Sequence, residues 1–347
     1  MADTKKKGLD LQQTNGSFQI RGKVSGTESE RFYKDIKTKT GKPMRMVNFG
    51  VEFEKDNKIY IALNGMERDE VYFSKKDEKT GKNTTTKVAW KDRKTFNKDG
   101  YKLIGVNVGV KKTTDDNGKE VNDKKVLVEY DACEEIGANL KDEASVFIRG
   151  KIEYSTYNDK RQMKFVPNQV SLCKDIDFED EKFEPMADFE QVIVFMGIAP
   201  NDDKSKFIVS AKIIGYNSIE DAEFVTTNEK LAKNLKKLKP YTAIKVYGHI
   251  VVTGKVEEVE EDDGWGESNP MQQRVGSAFE RELVITGADK DSIDTEVYSE
   301  EIIDEAIAKL KANKTTKQEY GDDDDDWGEP STKKSDSSDD DDEWGLD

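Results

Sequence analysis

The chain is poor in the residues that build covalent cross-links and metal centres. Its 347 residues include two cysteines, Cys133 and Cys173, and a single histidine, His249. Two cysteines are too few for a disulfide framework, and the three residues together cannot supply the four ligands of a structural zinc site. His249 lies in a strand-like stretch and completes no Ser/His/Asp or Cys/His arrangement. We therefore expect no enzymatic activity, no metal and no other cofactor.

Long apolar runs are also missing. Hydrophobic residues make up 34% of the chain, and no run approaches the roughly 18 apolar residues that a membrane span needs. The lysines near the N-terminus are not followed by the apolar segment of a signal peptide. We expect a soluble, cytoplasmic protein with no membrane partner.

Charge is distributed unevenly along the chain, which carries a formal net charge of -16. Residues 1–173 hold 35 Lys and Arg against 27 Asp and Glu, a net charge of +8. Residues 174–317 hold 19 against 31, and residues 318–347 hold 2 against 14, a net charge of -12 for each. The asymmetry predicts a polyanionic partner for the first part and an acidic interaction tail at the end.

One strand pattern occurs twice. Residues 145–154 alternate between apolar and polar side chains around Gly150, where a small barrel strand would bend, and a second strand-like stretch follows at 165–172. Residues 242–252 repeat this pattern, again followed by a polar loop and a strand-like stretch, 279–286. The repetition predicts two related domains.

Each repeat is preceded by further strands and a helix. The first has strand patterns at 18–24, 44–54 and 58–63 and a helical pattern at 130–140; the second has strand patterns at 189–198 and 206–216 and a helical pattern at 228–238. A five-stranded barrel with a helix between its third and fourth strands is the OB-fold.

We therefore predict a mostly β chain with two OB-fold barrels in tandem. The predicted segments are a basic barrel domain at 1–173 with a β-rich insertion at about 67–125, an acidic linker at 174–188, a second barrel at 189–290, a C-terminal helix at 291–317 and a disordered acidic tail at 318–347.

OB-folds bind oligonucleotides on strands 2 and 3 and on the loops that join strands 1 to 2 and 4 to 5. In the first barrel these segments combine basic and aromatic side chains. The candidate DNA-binding residues here are Phe32, Tyr33, Lys37, Lys42, Arg45, Phe49, Arg149, Tyr157, Lys160, Arg161 and Lys164. Strand parity places Phe49 on the same face as Arg45, so core packing of Phe49 remains an open alternative.

The insertion is the most basic segment. Residues 75–112 hold 12 Lys and Arg against 4 Asp and Glu, interleaved with aromatic residues. Basic side chains neutralise phosphates, and aromatic faces stack on unpaired bases. The candidates are Lys87, Trp90, Lys91, Arg93, Lys94, Phe96 and Tyr101. In the alternative interpretation, Trp90 and Tyr101 pack the small core of the insertion and its lysines are merely solvated.

Tryptophans recur among the acidic residues of the tail. Trp327 and Trp344 each follow a run of acids and precede a glycine, and Leu346 lies close to the end. An apolar anchor flanked by acids suits docking into a basic-rimmed pocket of a partner protein. The alternative is a solubilising brush in which the tryptophans have no role.

The two barrels, the basic aromatic loops and the acidic, aromatic-tipped terminus together resemble the single-stranded DNA-binding proteins of bacteria and their phages. The closest resemblance is to the tandem OB-fold proteins of phages that infect Gram-positive bacteria. The chain departs from the bacterial pattern at its terminus, where Trp344-Gly-Leu-Asp347 stands in place of an acid-Pro-Phe ending.

The resemblance implies a protein that coats and protects single-stranded DNA during replication or recombination in the host cytoplasm. It also implies that the tail recruits replication and recombination proteins. The alternatives are a recombination mediator or strand-annealing factor, and an acidic-tailed RNA-binding or chaperone protein.

Overall fold

The computed structural model of the protein describes residues 9–157, 160–255 and 278–320. The prediction of a mostly β chain is confirmed. The strands of the first part are β1 (Gly16–Ser25), β2 (Tyr33–Lys37), β3 (Pro43–Glu54), β4 (Asn57–Met66), β5 (Glu70–Lys76), β6 (Asn83–Ala89), β7 (Lys102–Leu103), β8 (Val106–Gly109), β9 (Lys112–Thr114), β10 (Glu120–Asn122), β11 (Lys125–Leu127), β12 (Ser145–Tyr157) and β13 (Lys160–Leu172). Those of the second part are β14 (Met186–Pro200), β15 (Phe207–Ile214), β16 (Ile219–Thr226), β17 (Thr242–Lys255) and β18 (Ala278–Asp294). The helices are α1 (Glu129–Asn139), α2 (Glu229–Leu235) and α3 (Glu300–Tyr320).

Strand pairing in the first part closes into a ring of five strands, which we call the first ring. Strand β1 pairs antiparallel with β3 and with β12, β3 pairs with β4, and β12 pairs with β13. A parallel contact between β4 and β13, at Ile61 and Phe165, closes the ring. The helix α1 follows β4 and the insertion, precedes β12 and packs against β3 and β4.

The alternation read from the sequence determines which side chains fill the first ring. Ile20 and Val24 of β1 are fully buried, as are Ile148 of β12 and Phe165 of β13. Gly150 is needed for a close approach, because a Cβ at this position would collide with the backbone carbonyl of Val166. The pairing register shifts between Arg149 and Gly150, so the predicted bend in this strand is confirmed.

The second part forms an equivalent ring, the second ring. Strand β14 pairs with β15 and β17, β15 with β16, and β17 with β18, all antiparallel, and a parallel contact between β16 and β18 closes the ring. Gly248 of β17 lies against the carbonyl of Val284 as Gly150 lies against that of Val166. The helix α2 occupies the position between the third and fourth strands of this ring.

The two rings are joined by an antiparallel pairing of their first strands. Gly16 to Arg21 of β1 lie opposite Met186 to Gln191 of β14. One continuous hydrophobic cluster extends through both rings. Near the end of the described chain, Tyr298 donates a hydrogen bond of 2.7 Å to the carbonyl of Gln12, and Ile303 of α3 is buried beside it.

The insertion is β-rich, as predicted. Strands β5, β6 and β7 form a separate three-stranded sheet, and β9 and β10 form a hairpin. Strands β8 and β11 instead extend the first ring, because β8 pairs in parallel with β13.

Outside residues 67–127, two strands were not predicted. Strand β2 lies where a polar connection was expected. Its charged sequence shows no apolar alternation that would predict a strand, and it is held in place by antiparallel pairing with β3. Strand β16 was also missed, although Ala222 and Phe224 in it are buried. The pairing of β14 with β1 begins at Met186, inside the segment predicted as a linker.

Candidate nucleic-acid interface

Phe32 and Phe49 belong to the core of the first ring. Their exposed fractions are 5% and 1%, and their rings meet edge to face with centroids 6.3 Å apart. The prediction that they stack on bases is wrong. Strand parity carries Phe49 inward with Val47 and Val51, which makes the core alternative the correct one.

Tyr33 is half-buried at the start of β2. Its ring lies over Gly137 of α1, where a Cβ would collide with the ring. Burial raises the pKa of the Tyr33 hydroxyl, and the nearby Arg45 charge only partly offsets this effect. Tyr33 therefore packs β2 onto α1 with part of its surface accessible.

The aromatic residues of the insertion pack against one another. The ring centroids of Phe96 and Phe73 are 4.6 Å apart. The guanidinium carbon of Arg93 lies over the face of Trp90, 4.0 Å from the ring centroid. Tyr101 joins the same cluster. Trp90, Phe96 and Tyr101 pack against the core of the three-stranded sheet, which is built from Val71, Phe73 and Val88, but they are only partly buried, so their stacking on bases stays a prediction.

Two of the predicted phosphate-binding arginines are neutralised within the protein. Arg93 pairs with Asp131 through two hydrogen bonds of 2.8 and 3.0 Å, and both side chains are largely buried. Arg45 pairs with Asp35 at 3.0 Å and with Glu134 at 2.8 Å. Burial lowers the pKa of Arg45, but the hydrogen bond that Arg45 donates to Asp35 and the charge of Glu134 outweigh it, so the pKa is raised.

Three more predicted basic residues also have acidic partners. Lys87 pairs with Glu70 at 2.7 Å, and Lys94 lies 3.5 Å from Asp131. Arg161 of β13 pairs with Glu223 of the second ring. These contacts were not detectable from the sequence, because every partner lies on another element.

Five other predicted basic residues are accessible to a ligand. Within the described part of the chain they form no ion pair, and their side chains are exposed; they are Lys37, Lys42, Lys91, Arg149 and Lys164. Lys37 and Lys42 flank the turn between β2 and β3, and Lys164 lies on β13. Charges without an internal partner supply the counterion release that drives nucleic-acid binding.

Five predicted residues can be placed only in part or not at all. Tyr157 ends β12 and Lys160 begins β13, at the loop between the fourth and fifth strands of the first ring, but their side chains lie outside the described structure. The predicted partner-binding residues of the tail, Trp327, Trp344 and Leu346, lie outside the described residues as well.

A polar groove crosses the junction of the rings. It has a volume of ≈ 320 Å³ and is lined by Gln19, Arg149, Asp188, Tyr247 and His249 among others. The carboxylate of Asp188 accepts a hydrogen bond from Gln19 at 3.2 Å and lies 2.8 Å from Nδ1 of His249. A second groove of ≈ 600 Å³ adjoins it and shares Arg149. Arg149 is thus an unpaired cation that faces open space shared by both rings.

Exposed aromatic residues that the sequence analysis did not single out lie on the strands. Tyr60 of β4 is 57% exposed and Tyr247 of β17 is 46% exposed. The signal for Tyr60 was strand parity, because it alternates with the buried Ile59 and Ile61. Phe32, predicted to be a loop residue, turns inward, whereas Tyr60 and Tyr247 on strands are exposed.

No cluster of three or more metal-ligating side chains occurs among residues 9–157, 160–255 and 278–320. Burial raises the pKa of the Cys133 thiol to about 12, so it is a poor nucleophile. In the portion of the chain covered by the structure, every helix is too short or too polar to cross a membrane.

These features define a mostly β protein with two five-stranded rings and a set of unpaired cations on the first. The chain belongs to the YorF family, whose model matches residues 75–323. A search of curated proteins finds no match.

Among solved structures, the chain is similar to the single-stranded DNA-binding protein from Thermus aquaticus. A deletion mutant of that protein is 10% identical, with a TM-score of 0.39 over 83% of this chain and 98% of the other. The wild-type form is 9% identical, with a TM-score of 0.38 over 80% of this chain and 93% of the other.

Proposed function

We propose that the protein binds single-stranded DNA through two OB-fold barrels in tandem, corresponding to the predicted domains 1–173 and 189–290. The observation that carries the proposal is the first ring itself. Five strands close through a parallel contact of β4 with β13, and α1 lies between the third and fourth strands. This arrangement is the one expected of an OB-fold, a common oligonucleotide-binding architecture.

The charge distribution favours a polyanion as the ligand. Lys37, Lys42 and Lys164 are exposed and have no acidic partner among the described residues, and they belong to segments that OB-folds use for binding. Such lysines contact phosphates without regard to base sequence, so binding is tolerant of sequence and weakens as salt is added.

In this proposal the protein coats and protects single strands during phage DNA replication or recombination and catalyses no reaction. The phage is one that infects a Gram-positive host, whose cytoplasm is then the site of action. The acidic tail recruits replication and recombination proteins through Trp327, Trp344 and Leu346, since an apolar anchor adds specificity that aspartates alone lack.

Titration of the full-length protein with matched DNA and RNA oligonucleotides tests the function. A coating protein saturates single-stranded DNA stoichiometrically and with little sequence preference. Acceleration of duplex formation at substoichiometric amounts of protein would instead identify an annealing factor. A clear preference for RNA would identify an RNA-binding protein.

A further inference from the structure

Each ring places one arginine against the other ring. The arginine from the first ring meets a carboxylate, whereas the arginine from the second ring meets an aromatic ring. The β12–β13 hairpin of the first ring reaches β16 of the second, where Thr156 donates a hydrogen bond of 2.9 Å to Glu220 and Arg161 pairs with Glu223. In return, Arg281 of β18 lies over the ring of Tyr60 on β4, with its guanidinium carbon 5.7 Å from the ring centroid.

Arg161 is neutralised in this interface, whereas Arg281 is not. Arg281 makes no ion pair within the described part of the chain, and its Nε is buried without a hydrogen-bond acceptor. The carboxylate of the adjacent Glu282 is occupied by Lys206. Burial lowers the pKa of Arg281, and the only interaction that opposes this is with Tyr60. A guanidinium with five donors and no anionic partner among the described residues, beside the exposed ring of Tyr60, can accept an anionic ligand.

Tyr60 presents an aromatic surface beside that guanidinium. It is 57% exposed, and its cross-strand neighbour on the same face of the sheet is Gly50, which has no side chain to cover the ring. Aromatic rings exposed on such strands stack on unpaired bases.

We propose that Tyr60 and Arg281 form a nucleotide subsite shared by the two rings, in which a base stacks on Tyr60 and an adjoining phosphate pairs with Arg281. This inference rests on the proposed binding of single-stranded DNA and adds the position at which a strand passes from the first ring to the second. Neither ring contains the subsite alone. Both rings must therefore be engaged for full affinity.

The test uses the full-length protein and fluorescent oligo-dT of about 32 nucleotides, since one OB-fold occupies up to about 16. Tyr60→Leu should weaken binding about tenfold because it removes stacking, and Tyr60→Phe should bind like the wild type because it keeps the ring. Arg281→Met should also weaken binding and should reduce the slope of log affinity against log salt by about 0.7, the value for one phosphate contact on a single strand.

Two matched controls separate the subsite from general surface effects. Tyr216→Leu alters a tyrosine of the same 57% exposure in the connection between β15 and β16, and Arg161→Met removes the reciprocal arginine that Glu223 already neutralises. Both should retain most of the affinity. Thermal unfolding followed by circular dichroism verifies that each variant is folded. Photocrosslinking of iodouracil-containing oligo-dT to the wild-type protein should label the peptide that contains Tyr60.

The outcomes distinguish the two proposals. A wild-type protein that binds no single-stranded nucleic acid overturns the proposed function, and the subsite with it. Tight wild-type binding that Tyr60→Leu and Arg281→Met leave unchanged, with no crosslink at the Tyr60 peptide, overturns the shared subsite alone. Loss of affinity confined to the two subsite variants, together with the crosslink, supports it.

Discussion

Phe18 of β1 lies directly opposite Phe189 of β14 in the antiparallel pair that joins the rings. Within its own ring, Phe18 is also opposite Gly150, and Phe189 is opposite Gly248. The same phenylalanine–glycine relationship therefore occurs on both sides of the junction. These equivalent pairs correspond to the strand pattern that appears twice in the sequence.

The junction phenylalanines should make large contributions to stability. Phe18 packs edge to face on Phe165 with centroids 5.2 Å apart, and Phe189 lies 5.9 Å from Phe224. Phe18→Ala and Phe189→Ala should each lower the free energy of unfolding by about 3–5 kcal/mol, because each leaves a cavity. Urea unfolding measures this change. Tyr216→Ala, at an exposed position, should change stability by less than about 1 kcal/mol.

The ion pair between Arg93 and Asp131 should make the free energy of unfolding fall at low pH. Burial raises the pKa of Asp131, but the hydrogen bonds and charge of Arg93 outweigh it, so the pKa is lowered. As the pH falls, the unfolded state therefore binds a proton at Asp131 before the folded state does. The ionised carboxylate stabilises the fold above about pH 4, and this stabilisation is lost as the pH falls through the folded-state pKa of Asp131.

Asp131→Asn should therefore destabilise the protein at neutral pH by about 3–5 kcal/mol, because it leaves a buried guanidinium without its counter-charge. Unfolding free energies measured from pH 7 to pH 2 should show the difference from the wild type shrinking as the solution becomes acidic. A difference that stays constant across this range would contradict the assignment.

The two cysteines should differ in reactivity. Burial raises the pKa of both thiols, but Cys133 is completely buried whereas Cys173 is partly accessible. In the native protein a thiol reagent should therefore modify Cys173 first, and Cys133 should react only on unfolding. Mass spectrometry of timed labelling reactions measures the order. Equal labelling of both sites in the native state would contradict the burial of Cys133 between α1 and β4.

Unpaired lysines should matter more for binding than paired ones. The double variant Lys37→Gln with Lys42→Gln should weaken oligo-dT binding and reduce the salt slope by about 1.4, or about 0.7 for each phosphate contact. The matched control is Lys87→Gln with Lys112→Gln, which removes the same charge from lysines already paired with Glu70 and Glu120. The control should change the slope much less. Equal slopes for the two variants would contradict the assignment of free and paired cations.

Much of the fold follows from local patterns, whereas the candidate site does not. Alternation predicts β1, β12 and β17 because half-buried strands repeat with period two, and Gly150 marks the bend. The candidate site depends on contacts between distant elements. Asp131 of α1 neutralises Arg93 of the insertion, and Arg281 meets Tyr60 across the rings. The spacing of these residues along the chain does not predict either contact.

The exposure of the aromatic residues also depends on contacts between elements that local sequence patterns do not predict. Phe32 is in a polar connection and was expected to be exposed, but β2 folds along β3 and its neighbour Phe32 turns into the core. Conversely, the parity of β4 places Tyr60 outward. Polar surroundings in the sequence are therefore a weaker guide to exposure than strand register.

The most direct test of the account is the affinity of the full-length protein for oligo-dT measured over a range of salt concentrations, with duplex DNA of the same length as the comparison. The account predicts tight, saturable binding of the single strand, a linear fall of log affinity with log salt, and weaker binding of the duplex. Absence of binding to oligo-dT at low salt, or an affinity for duplex equal to that for the single strand, would contradict it.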